Sequence, residues 1–339
     1  VKKGAVDLAG FNKRELALMC ASHKGEKIHI DTAESMLSKL CLTVEDYECG
    51  AHLPSSIDIR NKLIRSGNPP SPLHNNCSGK HAGMLALAKS LGAETAGYTK
   101  KSHPVQSTIL TYLEELTQSK ILPLEIDGCS APVPFMTMET IAKLFQLLGQ
   151  GDKPELNRIF DAMTAYPELI GGSDHFDSIF TKVLCGRGLT KVGAESVRGI
   201  SIKTKNNQSI GIAIKILDGN FRALQVTTMK LLEHLDLLTQ DELNKLDRFK
   251  LEILKNKKRI VKNIQKNARE ARYELLSKFC KKNRAKYLLT AHHQDDQIET
   301  FFIRLSRGSG VEGLSSMSEK TKIQHGINLI RPFLDSNKK

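Results

Sequence analysis

The stretch HNNCSGKHAGMLALA, residues 74–88, decides the fold of the larger part of the chain. Its second half is an apolar helical run that ends at glycine in KSLGA. Its first half carries a thiol at Cys77, a hydroxyl at Ser78, an amine at Lys80 and an imidazole at His81, more reactive chemistry than an ordinary loop holds. Cys77 taken alone is most often a small buried hydrophobe. A second cysteine, Cys129 in DGCSAP, follows a short strand pattern, where loops commonly present functional groups. Thiolates are strong zinc ligands. Two of them leave a tetrahedral shell incomplete, so one or two further ligands and an open position are expected.

Around this stretch lies a chain of 339 residues, 40% apolar and 26% charged, the composition of a soluble globular protein with one large or two ordinary domains. No run is long and apolar enough to cross a bilayer, and VKKGAVDLAG lacks the apolar core of a signal peptide. The expected location is the cytoplasm, without membrane contact. The seven cysteines are odd in number and dispersed, unlike a disulfide framework, so they are expected to be reduced. The net charge of +13 is unevenly placed. From Arg248 to Lys339 there are 22 Lys and Arg against 9 Asp and Glu, while the first 247 residues hold 28 of each sign. A basic segment of that kind usually faces a polyanion such as nucleic acid; a solvated charged surface is the bland alternative.

The periodicity predicts mixed α/β structure. NKRELALMCASH, KHAGMLALAKSLGA and HPVQSTILTYLEELTQ have helical spacing, the last with His103-Pro104 at its start. DTAESMLSKLCL reads as a helix capped by Asp31, with Glu34 three residues on. PLEIDGCSAPVPF reads as a strand running into a loop. SIGIAIKILDGNFRALQVTTMKLLEHL reads as strand, turn, second strand and helix. Charge rises sharply in KLDRFKLEILKNKKRIVKNIQKN, which sets a boundary near Arg248. Beyond it a helix in NAREARYELLSKFCKKN, a strand in AKYLLTAHH and a helix in DDQIETFFIRLSRG follow the β-α alternation of a parallel sheet.

LALMCASHKGE, PPSPLHNNCSGKHAGML, HPVQ, IDGCSAP and TKVGAESV together resemble the L-asparaginase II family, the zinc-dependent rhizobial type, over residues 1–247. The resemblance implies a fold like that of glutaminases and serine β-lactamases, a sheet with packed helices, and the hydrolysis of L-asparagine to L-aspartate and ammonia. It makes Cys77, Lys80 and Cys129 the ligands of Zn2+, with His81 and Asp127 contacting those ligands or the substrate. Lys80 can ligate only as a neutral amine, so the metal must pull its pKa down. Ser22 becomes the catalytic serine and Lys191 its basic partner; outside that context they read as a helix-terminal serine and a solvated lysine. The family carries a further Ser-x-x-Lys pair near its N-terminus. Ser336 to Lys339 matches that spacing without its context, so these residues are expected to lack the family's leading segment.

NIQKNAREARYELL, LLTAHHQDDQIETFFIRLSRGSGVEGLSSM and LIRPFL resemble, in that order, the tRNA(Ile)-lysidine synthetases. The resemblance makes residues 248–339 the latter part of that family's N-terminal domain, a partial Rossmann-like PP-loop domain of the adenine-nucleotide hydrolase type. It places Arg272 on nucleotide phosphates, His292, His293, Asp296 and Glu299 at the adenylation site, and Arg307 with Gly308 and Gly310 in the following loop. The bland reading of AHHQDDQ is a polar helix start. ATP and Mg2+ are the implied cofactors, but the family's Ser-Gly-Gly-x-Asp-Ser phosphate loop has no match. IGGSDHFDS, residues 170–178, has the wrong order and lies in the asparaginase-like region, so it is assigned to that fold.

These observations lead to asparagine hydrolysis as the first reading. ATP-dependent lysidine formation on tRNA, or tRNA binding through the basic part, is the second, and a fused relic without activity is the third. L-Asparagine, tRNA and a second copy of the chain are the partners to consider.

Overall fold

The computed structural model describes residues 1–120, 124–204, 206–250, 264–292, 294–306 and 317–336, and the chain divides into two compact units, Val1–Leu251 and Glu252–Lys339. The architecture is mixed α/β.

Helices build the first part of unit one. A short α1 (Ala5–Leu8) precedes α2 (Lys13–Met19), which starts where Asn12 and Glu15 bond each other's backbone N–H at 3.0 and 2.8 Å. α3 (Lys27–Lys39) begins four residues ahead of the expected Asp31 cap. Glu26 and His29 form its capping pair instead, and Asp31 stays inside the helix because Lys27, one turn earlier, pairs with it at 2.6 Å. After α4 (Ile57–Ser66), α5 (Ser78–Ser90) carries the run that opened the sequence. α5 packs directly on α2: a Cβ on Gly79 would sit 2.2 Å from Leu18 O, so only glycine permits the approach. α6 (Pro104–Thr117) starts as the sequence predicts, with Pro104 at its first position and His103 Nδ1 accepting Val105 N–H at 3.2 Å.

IDGCSAP folds as an antiparallel ribbon, β1 (Leu124–Ile126) against β2 (Pro132–Pro134), so Asp127 and Cys129 sit in its turn. α7 (Met138–Gln150), α8 (Pro154–Ala165), α9 (Glu168–Gly171) and α10 (Phe176–Val183) lead into an antiparallel sheet in the order β3 (Gly188–Gly193), β4 (Val197–Lys203), β5 (Ser209–Lys215). β4 is the middle strand and is buried on both faces. Small residues on one face let α7 approach; a Cβ on Gly211 would lie 1.9 Å from Ala142 O. On the other face Ile200, Ile202 and Ile214 pack with Phe176 and Phe180 of α10, with Leu184 just after it, and with residues of α11 (Leu224–His234).

The second strand expected after the Asp-Gly-Asn turn does not form. Asn220 accepts Arg222 N–H at 3.0 Å and starts a 3-10 turn over Phe221–Ala223 that runs into α11, so the asparagine acts as a helix cap rather than a hairpin turn. The partner of β5 is β4, which precedes it. α12 (Gln240–Lys245) closes the unit.

Unit two holds α13 (Ile264–Lys282), β6 (Tyr287–Leu289), α14 (Gln294–Ser306), β7 (Lys320–Lys322) and β8 (Asn328–Ile330), with strand order β6-β8-β7. β6 and β8 are parallel, as the alternation predicts, whereas β7 joins β8 antiparallel. Among the described residues no helix is long and apolar enough to cross a membrane.

Candidate functional site

Ser22 lies in the segment between α2 and α3, where its N–H donates to Ile170 O at 3.0 Å and Lys24 N–H to Gly171 O at 3.0 Å. These bonds tie CASHKGE to the end of α9. Lys191 comes from β3, opposite Gly199 of β4, on the α7 face of the sheet. Its Nζ donates to Ser22 Oγ at 2.7 Å and also contacts Val192 O. Two residues 169 positions apart thus meet. Burial pushes the Lys191 amine below the ordinary lysine range, and Asp177 opposes that shift. A lysine held in this way can lose its proton and serve as a base toward the serine hydroxyl.

Beside this pair, Cys77 at the start of α5, Cys129 and Asp127 bring two sulfurs and a carboxylate oxygen within 4.8 Å of one another. Lys80 Nζ donates to Cys129 Sγ at 3.2 Å and lies 3.7 Å from Asp127 Oδ2. Cys77, hydrogen-bonded to Cys129 and buried, has its pKa raised, while Cys129 is held far below the thiol range by the Cys77 hydrogen bond, His81 and Lys80, against its burial. Burial alone would lower Lys80, yet the thiols and Asp127 outweigh it and keep the amine protonated. Neutral Lys80 therefore requires a competing cation in the cluster. Tyr98 OH accepts Glu48 N–H at 2.9 Å and lies 2.7 Å from His81 Nδ1. His81 Nε2 is buried without a hydrogen-bond partner, and its influence falls on Cys129.

Sequence reasoning missed two pairings. Ser78 is fully buried and sits 2.9 Å from His23 Nε2. His23 Nδ1 accepts Gly25 N–H at 3.0 Å, so the proton is on Nε2 and points at the serine. His29 stacks on His23 with ring centroids 4.6 Å apart, and burial depresses both imidazoles. The motif LALMCASHKGE contained His23, but its partner is 55 residues away. The second pairing is Asp177 and Arg198, which form a buried ion pair at 2.9 Å. Asp177 belongs to DHFDS, which drew notice only for its unsuitability as a phosphate loop.

In unit two, Arg272 is exposed on α13. His292 follows the C-terminal end of β6, with Nδ1 2.9 Å from Thr290 Oγ1, and Asp296 lies in the first turn of α14, with the exposed Glu299 one turn on. Helix starts after parallel strands are common ligand positions. His293 and Arg307, with glycines 308 and 310, lie outside the described residues.

A family profile for L-asparaginase II matches residues 1–265. The chain belongs to the L-asparaginase II family. A PP-loop domain profile matches residues 203–339, overlapping the first match. The C-terminal part is similar to tRNA(Ile)-lysidine synthases: 58% identical over 79 residues to that of Wolbachia pipientis wMel, covering 23% of this chain and 18% of the relative. The figures are 44% over 81 residues for Orientia tsutsugamushi (24% and 18%) and 49% over 76 for Vibrio parahaemolyticus (22% and 17%). The chain spans less than a fifth of these curated relatives.

The zinc implied by the asparaginase II resemblance fits the donors present. Two sulfurs that each bond zinc at about 2.3 Å must approach within roughly 4 Å. The two sulfurs and the Asp127 oxygen lie within 4.8 Å of one another, a soft donor set that a small inward movement brings to zinc-binding distances, and the buried His81 Nε2 faces the same thiol pair.

Proposed function

We propose that residues 1 to about 250, whose sheet covered on both faces supports a glutaminase/β-lactamase-like fold, hydrolyse L-asparagine to L-aspartate and ammonia. The carrying observation is the 2.7 Å contact between Lys191 Nζ and Ser22 Oγ. Neutral Lys191 removes the hydroxyl proton as Ser22 Oγ attacks the side-chain amide carbon. The protonated lysine then returns the proton to the departing nitrogen, the C–N bond breaks, and ammonia leaves behind an aspartyl ester on Ser22. Water, deprotonated by the same amine, hydrolyses the ester. Zinc held by Cys77, Cys129 and Lys80, with Asp127 and His81 against the ligands, would supply fixed positive charge for the polar groups of the substrate. The test is ammonia release from L-asparagine by the zinc-loaded chain and by Ser22→Ala. Release that depends on Ser22 supports the reading; no release from the parent, or equal release from both, overturns it.

For residues 252–339 the identity to lysidine synthases and the excess of Lys and Arg support a second reading, contact with tRNA. Arg272, His292, Asp296 and Glu299 are its candidate residues, and ATP-dependent lysidine formation is the activity associated with them. Binding of tRNA to the chain should weaken steeply as salt rises; salt-independent binding or none would contradict it.

A further inference from the structure

The residue that follows Lys191 on β3, Val192, is held by a group that the hydrolytic reading does not use. In the β3–β4 ladder Lys203 N–H donates to Arg187 O at 2.8 Å, and the register pairs Lys191 with Gly199 and Val192 with Arg198. Hydrogen-bonded pairs recur at every second residue, so Lys191 faces β4 with its backbone groups and Val192 turns its N–H outward, off the sheet edge. Asp177 Oδ2, from α10, accepts that N–H at 2.7 Å. Its other oxygen lies 2.9 Å from Arg198 Nη1, and Arg198 stacks over the Phe176 ring at 4.2 Å and donates to Thr190 Oγ1 at 3.2 Å. A buried ion pair is a poor stabiliser compared with apolar packing, so its use lies in the geometry it fixes. That geometry is the peptide carrying Lys191, whose amine folds back on Val192 O while reaching Ser22.

We infer that Asp177, anchored by Arg198, is a positioning residue for Lys191: it clamps the Lys191–Val192 peptide from the sheet edge and keeps the amine on Ser22. The inference rests on the hydrolytic reading for its purpose, though not for its geometry. The groups that face Lys191 are Asp177 from α10, Cys77 and Lys80 from α5, Cys20 at the end of α2, His23 beside Ser22 and His175 ahead of α10. Of these, Asp177 acts most strongly to retain the proton, against burial. Neutralising it must let the amine deprotonate at lower pH.

The test follows the Cε signal of Lys191 by NMR in zinc-loaded, 13C-lysine-labelled protein, assigned by its loss in Lys191→Arg. Asp177→Asn should move the titration midpoint down by about one pH unit or more, and the acid limb of kcat/KM should move the same way. The double variant Asp177→Asn/Arg198→Gln removes both charges and strands neither, and should move the midpoint in the same direction by a smaller amount, because the lost Arg198 charge offsets part of the shift. An unmoved midpoint in a folded variant overturns the inference. On the parent alone, the Val192 amide should be protected from hydrogen exchange despite facing away from β4; rapid exchange there overturns the clamp without any variant. A shift and protection without ammonia release would sink the hydrolytic reading and leave the clamp standing. Ammonia release with no shift would do the reverse.

Discussion

Arg198 and Asp177, 2% and 1% exposed, bond to each other inside the first unit, whereas Arg272 and Glu299 stand in solvent on two helices of the second. Inside, a charge is tolerable only with a partner at hydrogen-bond distance, so each buried group specifies one geometry. Ser22 with Lys191, Cys77 with Cys129, and His23 with Ser78 are arranged on the same terms. In the second unit Arg331 is buried against Ser318 O and Thr321, but the candidate-site charges Arg272 and Glu299 are displayed, and apolar residues also face out: Leu289 is 64% and Phe302 60% exposed. A displayed charge sets a field and a salt dependence. It does not by itself make a pocket.

The sharpest way to break this contrast is to remove either member of the serine–lysine pair. Ser22→Ala and Lys191→Ala should each lower kcat/KM for ammonia release by roughly 1,000-fold or more while zinc content stays that of the parent. Comparable loss from Arg272→Ala in the same assay would mean the two units share the chemistry. Next in size, Cys77→Ser/Cys129→Ser should drop bound zinc from about one per chain to near none by elemental analysis; retained metal would place it elsewhere.

Stability should separate the units as well. Arg198→Met strands the Asp177 carboxylate and should cost about 3–5 kcal/mol in denaturant unfolding. Lys278→Ala, which breaks an exposed pair with Glu274, should cost under about 0.5 kcal/mol. Similar costs would dissolve the distinction. The smallest effect concerns pH. Burial lowers the folded pKa of His23 and His29 below that of the unfolded chain. Below about pH 6.5 the unfolded chain therefore binds more protons, and stability is lost as pH falls, by up to about 1.4 kcal/mol per unit per group. Above that pH the term is fully present and flat. His23→Gln, whose amide can still donate to Ser78, should reduce the acid slope; an unchanged slope would show that His23 does not stay neutral when folded.

Much of the first site was legible because its chemistry is local to short motifs. Cys77 and Lys80 are one helical turn apart, and Asp127 and Cys129 share one turn of the ribbon. Lys191 could be connected to Ser22 only through family resemblance, because no spacing rule spans 169 residues. The Asp177–Arg198 pair stayed hidden for a related reason: it depends on the register of β3 and β4 and on where α10 lands. The expected Asp31 cap failed because Lys27 stabilises the aspartate inside the helix, and the expected strand after Asp-Gly-Asn failed because Asn220 caps a helix as readily as it makes a turn. In the second unit the alternation of helix and strand pointed to a parallel sheet and placed β6, and β6 does pair parallel, but neither its partner β8 nor the antiparallel β7 was read, since strands of three residues carry little directional signal.

The measurement closest to the central claim is mass spectrometry of zinc-loaded protein quenched in acid during turnover of L-asparagine. One aspartyl group is expected on the peptide bearing Ser22 in the parent and none in Lys191→Ala. An aspartyl group on another residue, or equal labelling of Ser22 without Lys191, would contradict it.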